Sequence, residues 1–421
     1  MRLTDYNRNS LYQTTAIFIA LLFFVLGRFG FFDILGLKRL LEIILFVPLV
    51  LLGSMLILTS PQKWLSPFLL LPCVSCIMQT YWNPDGLIVA DLGTTILIIG
   101  IILALGSQFS DLLLRYVIII ATFFASLGII EFFILLASPS LSNHILLFYD
   151  YYSGSTVPVI QNYLQLFGLS DGTSYHLFGM SVTRLRSFAS EPSLLVGYFL
   201  VPGALGLTYQ GRYVVFGLIC IFFSMCSLAG SVYAALGFST LGIVLMLLKS
   251  RRLIIVLPFI LLALFVWVLF SHYNELIFMT KSTGGDYDFL DKTNSANMRF
   301  SYIRDFIPKV IASPFGLAEE INQPLGLLIG SMARGGVLGL ILIIIILMKL
   351  YTALGYLFTY GQLQLLQKIG LIIIYGSLIT GILYLDNCFI QSFSFILLLT
   401  YNRLTKLLIS MMAIRGKLET K

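Results

Sequence analysis

Apolar residues in this chain come in long unbroken blocks, separated by short polar or charged stretches, and not as one face of an amphipathic element. A block of about 20 apolar residues is what a helix needs to cross a bilayer. A helix also satisfies its own backbone groups, which hydrocarbon cannot do. The blocks predict spans near 11–27, 40–59, 65–81, 87–107, 115–138, 192–209, 213–230, 232–248, 253–271, 325–348, 369–386 and 388–402. The block 65–81 carries Pro67 and Pro72, and 388–402 is short. No fixed-period repeat or low-complexity tract interrupts the pattern.

Composition points the same way. Of 421 residues, 58% are hydrophobic and 11% charged, and the mean hydropathy is +0.96. Soluble domains carry about 25% charged residues. A soluble enzyme, a disordered chain and a small disulfide scaffold are therefore excluded. The expected fold class is an all-α polytopic membrane protein with about 12 transmembrane helices, one integral membrane domain over residues 1–421. Five cysteines set no disulfide framework, and Cys73 and Cys76 read as small packing residues inside an apolar block.

The net charge of +7 is not a nucleic-acid signal, because the positive residues sit mainly in short connections and the tail. Arg2, Arg8, Lys249, Arg251, Arg252, Lys349, Lys368, Arg403, Lys406, Arg415 and Lys417 all fall on one side of a twelve-span topology. The positive-inside rule makes that side the cytoplasm, with both termini there. Arg28, Lys38 and Arg39 fall on the other side, against the rule or against anionic headgroups. The first span has no small-residue cleavage pattern behind it and reads as an uncleaved anchor.

Two connections are long, 139–191 and 272–324, and both fall on the outer face. In the first, Pro158 to Gly168 brackets Ile160, Tyr163, Leu164 and Phe167 on one helical face, which predicts a short amphipathic helix on the outer leaflet. In the second, Phe300, Ile303 and Ile307 recur at helical spacing, Pro308 kinks or ends that helix, and Pro314-Phe315-Gly316 turns the chain back.

Five arginines lie at the ends of these loops: Arg184 and Arg186 before the sixth span, Arg299 and Arg304 before the tenth, and Arg334 within it. Any one of them reads comfortably as a side chain snorkelling to headgroups. Five at two outer loop ends point to more, because the guanidinium fork suits bidentate binding of phosphate oxygens. Glu191, directly before Pro192, is the carboxylate best placed for acid–base chemistry; an ion pair with Arg186 or a helix N-terminal charge is the competing role. Asp91, Glu131 and Asp386 are scattered in or beside spans, and His144, His176 and His272 lack metal-ligand spacing. No metal site, Walker-type loop, dinucleotide fingerprint or hydrolase elbow appears.

The segment Arg186-Ser-Phe-Ala-Ser-Glu-Pro-Ser-Leu-Leu-Val-Gly197 resembles the Arg-x10-Gly motif of bacterial O-antigen polymerases of the Wzy type. Arg299, Arg304 and Pro314-Phe315-Gly316 resemble their second loop, although eleven residues separate Arg304 from Gly316. The run from Asn322 to Gly339 resembles the segment that follows in the polymerase and ligase superfamily, with Ile321 where ligases carry a histidine. The resemblance implies a glycosyltransferase of the bacterial inner membrane, acting at its periplasmic face, with the two long loops periplasmic. Its donor and acceptor would be undecaprenyl-pyrophosphate-linked glycans, with no nucleotide sugar, cofactor or metal. Arg184, Arg186, Arg299, Arg304 and Arg334 would bind pyrophosphate and glycan, Glu191 would be the base, and Gly197 and Gly316 the motif glycines. Membrane lipids and the flippase and chain-length regulator of the same pathway would be its partners. An O-antigen ligase, which transfers glycan to lipid A–core, and a polysaccharide or lipid transporter are the alternatives.

Overall fold

The structure, a computed structural model, describes residues 5–26, 87–137, 145–146, 163–164, 170–177, 180–185, 195–271, 293–317, 326–361, 363–383 and 393–419, with single positions at 44, 48 and 52. These residues are helical apart from two short strand pairs. Six helical stretches are long and apolar enough to cross a membrane: Leu105–Ile134, Gly230–Leu248, Arg251–Val268, Gly339–Tyr360, Leu365–Leu383 and Ile396–Ala413. The chain is a helical membrane protein. The expected spans 40–59 and 65–81 lie almost wholly outside the described residues, as does Asp386.

In chain order the helices are α1 (Asp5–Leu26), α2 (Leu87–Ala137), a π-helical turn at Val196–Leu200, α3 (Val201–Gly206), α4 (Arg212–Cys226), α5 (Gly230–Leu248), α6 (Arg251–Ser271), α7 (Thr293–Ala312), α8 (Leu327–Tyr360), α9 (Leu365–Leu383) and α10 (Phe393–Glu419). The core forms where these helices meet through small residues. At Gly376 of α9 a β-carbon would overlap the Ala235 carbonyl and the Ser239 side chain of α5. At Gly217 of α4 it would overlap the Gly203 carbonyl of α3. Close backbone approach of this kind is how helices associate where lipid removes the hydrophobic drive between them. Buried hydroxyls bond back to their own helix, as Thr122 does to the Ile118 carbonyl at 2.7 Å and Ser377 to the Ile373 carbonyl at 2.8 Å.

The bundle has two ends. At one, Gln367 Nε2 donates to the Thr208 carbonyl at 3.5 Å, Thr359 Oγ1 to the Lys249 carbonyl at 3.5 Å, and Arg403 Nη2 to the Thr208 carbonyl at 2.6 Å. This tail end gathers connections that the charge pattern assigns to one side. At the other, the loop end, Leu228 packs on Phe132 and Leu136, and Gly326 lies against the Ile382 and Leu383 carbonyls.

Three sequence expectations change. The spans 87–107 and 115–138 correspond to two helical segments of Leu87–Ala137 that meet at a kink at Gly106 (φ 76°, ψ −165°), so residues 107–114 are helical and not a connection. The span expected at 325–348 is divided by Gly336 (φ 60°, ψ −159°), and the apolar run after the break continues to Tyr360. The spanning part is therefore Gly339–Tyr360, and Arg334 precedes it instead of lying inside it. In the first long loop, Tyr163–Leu164 is not part of an amphipathic helix but a strand, β2, paired in parallel with β1 (Ile145–Leu146). A tyrosine beside a leucine gains more from the pleated ladder than from an isolated turn of helix.

The same loop ends in an antiparallel hairpin, β3 (Ser170–Leu177) and β4 (Met180–Leu185), which the sequence reading lacked. Leu177 pairs with Met180 and Ser170 with Leu185, with an irregularity between Ser170 and Ser174. Two residues, Phe178 and Gly179, separate the strands in sequence. The rest of the expected short helix, 158–162 and 165–168, lies outside the described residues.

Candidate functional site

The second long loop builds the better defined half of the site. Helix α7 buries Ile303, Phe306 and Val310 against Ala333 of α8, with Ile307, Leu317, Ile329 and Met332 around them. Ile303 and Ile307 belong to the face expected from their spacing. Pro308 does not end the helix, which continues to Ala312. An exposed proline in a helix of this length costs one backbone bond, and the apolar face on both sides of it holds the helix together.

After α7 the turn Pro314–Leu317 plugs the break in α8. The Leu317 amide donates to the Ala333 carbonyl at 2.6 Å, and the Val337 amide donates to the Pro314 carbonyl at 2.8 Å. Two backbone groups freed by the break at Gly336 thus find partners in the loop. Gly336 has a positive φ, and a β-carbon there would overlap the Pro314 carbonyl and Phe315 backbone. Gly316, the second expected motif glycine, also has a positive φ, of 98°, at the close of this turn.

Arg299 and Arg304 are therefore carried on a helix clamped to the segment that carries Arg334, directly before the span. Three of the five expected arginines are thus carried on two helical segments packed on each other at the loop end. The Arg304 side chain is 37% exposed and its Nε lies 3.1 Å from Asp305 Oδ1. An exposed pair between neighbours of this kind contributes little to stability.

The first loop places its residues differently. Arg184 is on β4, which passes beside α2. Arg186 and Glu191 lie outside the described residues. Gly197, the first motif glycine, sits in the π-helical turn, and every residue from Val196 to Gly206 is buried. Tyr198 meets Phe23 of α1 at 5.1 Å between ring centroids, and Gly370 of α9 closes on the Ala204 carbonyl. The helical run from Leu195 to Gly206 rises roughly 18 Å at ~1.5 Å per residue, against a hydrocarbon thickness of ~30 Å. The chain that follows Arg186 and Glu191 thus enters the bundle as a short, wholly enclosed helix, shorter than the span expected at 192–209. Such backbone is tolerated at membrane depth where protein or a water-filled cavity surrounds it.

A second cluster, which sequence reading missed, lies at the tail end. Asp111 on α2 is 8% exposed and receives the Tyr209 hydroxyl at 2.7 Å. Around the same carboxylate stand Arg115 Nη2 at 3.1 Å, Lys406 Nζ at 3.2 Å and Arg403 Nη1 at 3.5 Å. Arg403 also donates from Nε to Thr208 Oγ1 at 3.0 Å, and its guanidinium lies 3.6 Å from the Tyr209 ring centroid. Asn402 donates to Ser110 Oγ at 2.9 Å. Burial pushes the Tyr209 hydroxyl well above its ordinary range, so it stays a proton donor to Asp111. The signal was present in the sequence: Asp111 and Arg115 are one helical turn apart, and Arg403 follows an apolar block.

Glu131 lies in α2 toward the loop end, 9% exposed, with Oε2 enclosed and without a hydrogen-bond partner. Among the described residues no group of histidine, cysteine and carboxylate side chains is arranged to hold a metal. No protein-family profile, curated protein or solved structure matches the chain.

Proposed function

We propose that this protein is a glycan polymerase that joins lipid-pyrophosphate-linked oligosaccharide repeat units at the outer face of a bacterial inner membrane. The observation that carries the reading is the clamping of the Arg299 and Arg304 helix to the Arg334 segment by the Pro314–Gly316 turn. Arginines carried on packed backbone at a membrane face suit a ligand that presents several phosphate oxygens in one place.

In this reading a hydroxyl of the acceptor glycan attacks the anomeric carbon of the donor. The bond from that carbon to the pyrophosphate oxygen breaks, and lipid pyrophosphate leaves with the electron pair. Its negative charge grows as the bond opens, and preorganised arginines stabilise it without reorganising. Glu191 takes the proton of the attacking hydroxyl. Arg184 and Arg186 approach from the first loop, Arg299 and Arg304 from the second, and Arg334 from the start of α8.

Deleting the gene and resolving the surface polysaccharide on a gel tests the class of reaction. Loss of a polymerase leaves single repeat units attached to the core. Loss of a ligase leaves no repeat attached, and unchanged long chains exclude both.

A further inference from the structure

At the tail end three cations converge on one carboxylate. Arg403 is spent within the protein, on Thr208, Asp111 and the Tyr209 ring. Arg115 and Lys406 both approach Asp111 Oδ2, yet their side chains remain 43% and 45% exposed, so both charges reach the surface. Arg115 Nε is enclosed without a partner. Arg115 also lies over the Tyr213 ring at 5.5 Å, and the exposed Arg212 lies over the same ring at 5.4 Å. Three positive groups thus share one negative group, and a fourth, Arg212, stands beside Arg115 at the Tyr213 ring.

Excess charge at the edge of a bilayer is costly unless a counter-ion meets it. The counter-ion's chemistry follows from the neighbours. From Arg212 an exposed apolar stripe runs up α4 through Val215, Leu218, Phe222 and Met225. A ligand fitting both features has an anionic head and a long apolar tail. We propose that Arg115, Lys406 and Arg212 bind the phosphodiester headgroup of an anionic membrane lipid, whose acyl chain lies along the Val215–Met225 face of α4. The site is separate from the arginine unit at the loop end and does not depend on the polymerase reading. Basic pockets between helices hold anionic headgroups through Coulomb attraction and paired hydrogen bonds. A bound headgroup would tie the start of α4 to the middle of α2 and of α10, which carry the other two cations.

Purified full-length protein in detergent tests this by melting and by native mass spectrometry with three additives: phosphatidylglycerol, phosphatidylcholine and inorganic phosphate. Phosphatidylglycerol should raise the melting temperature and remain bound, while phosphatidylcholine and inorganic phosphate should do neither. Each basic residue near the headgroup is worth about fivefold in affinity. Lys406→Gln and Arg212→Gln should each lower affinity by about that factor, and Arg115→Gln with Lys406→Gln by roughly 25-fold. Lys406→Arg should retain binding, as should Lys309→Gln at the other end. If the double variant fails to fold, the two single variants at exposed positions carry the test. Equal binding of both lipids, a shift produced by inorganic phosphate alone, or unchanged affinity in Lys406→Gln and Arg212→Gln would each overturn the proposal.

Discussion

Arg403 Nη1 lies 3.5 Å from Asp111 Oδ1, joining residues 292 positions apart in sequence. Among the described residues, Asp111 is the carboxylate that holds Arg403, Arg115 and Lys406 together, and it is nearly buried. Removing its charge leaves three cations facing one another. Asp111→Asn is therefore expected to cost about 3 kcal/mol, the lower part of the range for breaking a buried pair, because Arg115 and Lys406 are partly solvated. Tyr209→Phe keeps the ring beneath Arg403 and loses one hydrogen bond, at about 1 kcal/mol. Melting of the purified variants in detergent should rank Asp111→Asn below Tyr209→Phe, and an Asp111→Asn protein that melts with the wild type would refute this account of the tail end.

The turn at Pro314–Leu317 depends on a glycine. Gly336→Ala places a methyl group against the Pro314 carbonyl at a positive φ, so the loop must leave the break in α8. Such strain costs on the order of 1–3 kcal/mol, enough to release α7 without unfolding the bundle. Limited proteolysis should then cut at Arg304 and Lys309 several times faster than in the wild type, while the protein remains in the membrane. Equal protection of both sites would show that the turn is not held at Gly336.

Glu131 carries a carboxylate oxygen that is enclosed and unpartnered. An unsatisfied buried polar group costs roughly 1–3 kcal/mol. Glu131→Leu, which removes it and keeps apolar bulk, is expected to raise the melting temperature. A lower melting temperature would mean that the carboxylate is bonded in the working protein.

The grouping of Thr208, Lys249, Tyr356, Gln367 and Arg403 at one end and of Leu228, Gly326 and the α7 unit at the other sets a test of topology. Reporter fusions at Ser174 and Gly284 should be active only as periplasmic reporters, and a fusion after Lys249 only as a cytoplasmic one. A cytoplasmic signal at Ser174 or Gly284 would invert the arrangement.

What the sequence revealed follows from the length of its signals. Spans such as Gly230–Leu248 and Leu365–Leu383 were legible because each is a long, mostly apolar block with charge near one end, Lys249 after the first and Lys368 at the start of the second. The divisions at Gly106 and Gly336 were misplaced, because a single glycine in an apolar run carries no hydropathy signal while its backbone angle decides where the helix breaks. Ile303 and Ile307 announced α7 through their spacing, but its partner Ala333 lies 30 residues from Ile303 and is a small residue among many. The hairpin Ser170–Leu185 was missed because Ser170-Asp-Gly-Thr reads as a loop until its pairing is seen. The Asp111 cluster was split between an expected connection, the edges of the expected spans 115–138 and 192–209, and the C-terminal tail, and only the fold brings its members together.

The central claim is the polymerase reaction, and reconstitution tests it most directly. Purified protein in vesicles, given lipid-pyrophosphate-linked repeat units as donor and acceptor, should produce a ladder of lengthening lipid-linked chains and release lipid pyrophosphate. Arg186→Ala, Arg299→Ala and Arg304→Ala should abolish the ladder, the Arg→Lys variants should impair it because the fork is lost, and Glu191→Gln should slow it by about 10²-fold or more with donor binding retained. Repeat units that remain single with the folded wild-type protein, or a normal ladder from all three alanine variants, would contradict the account.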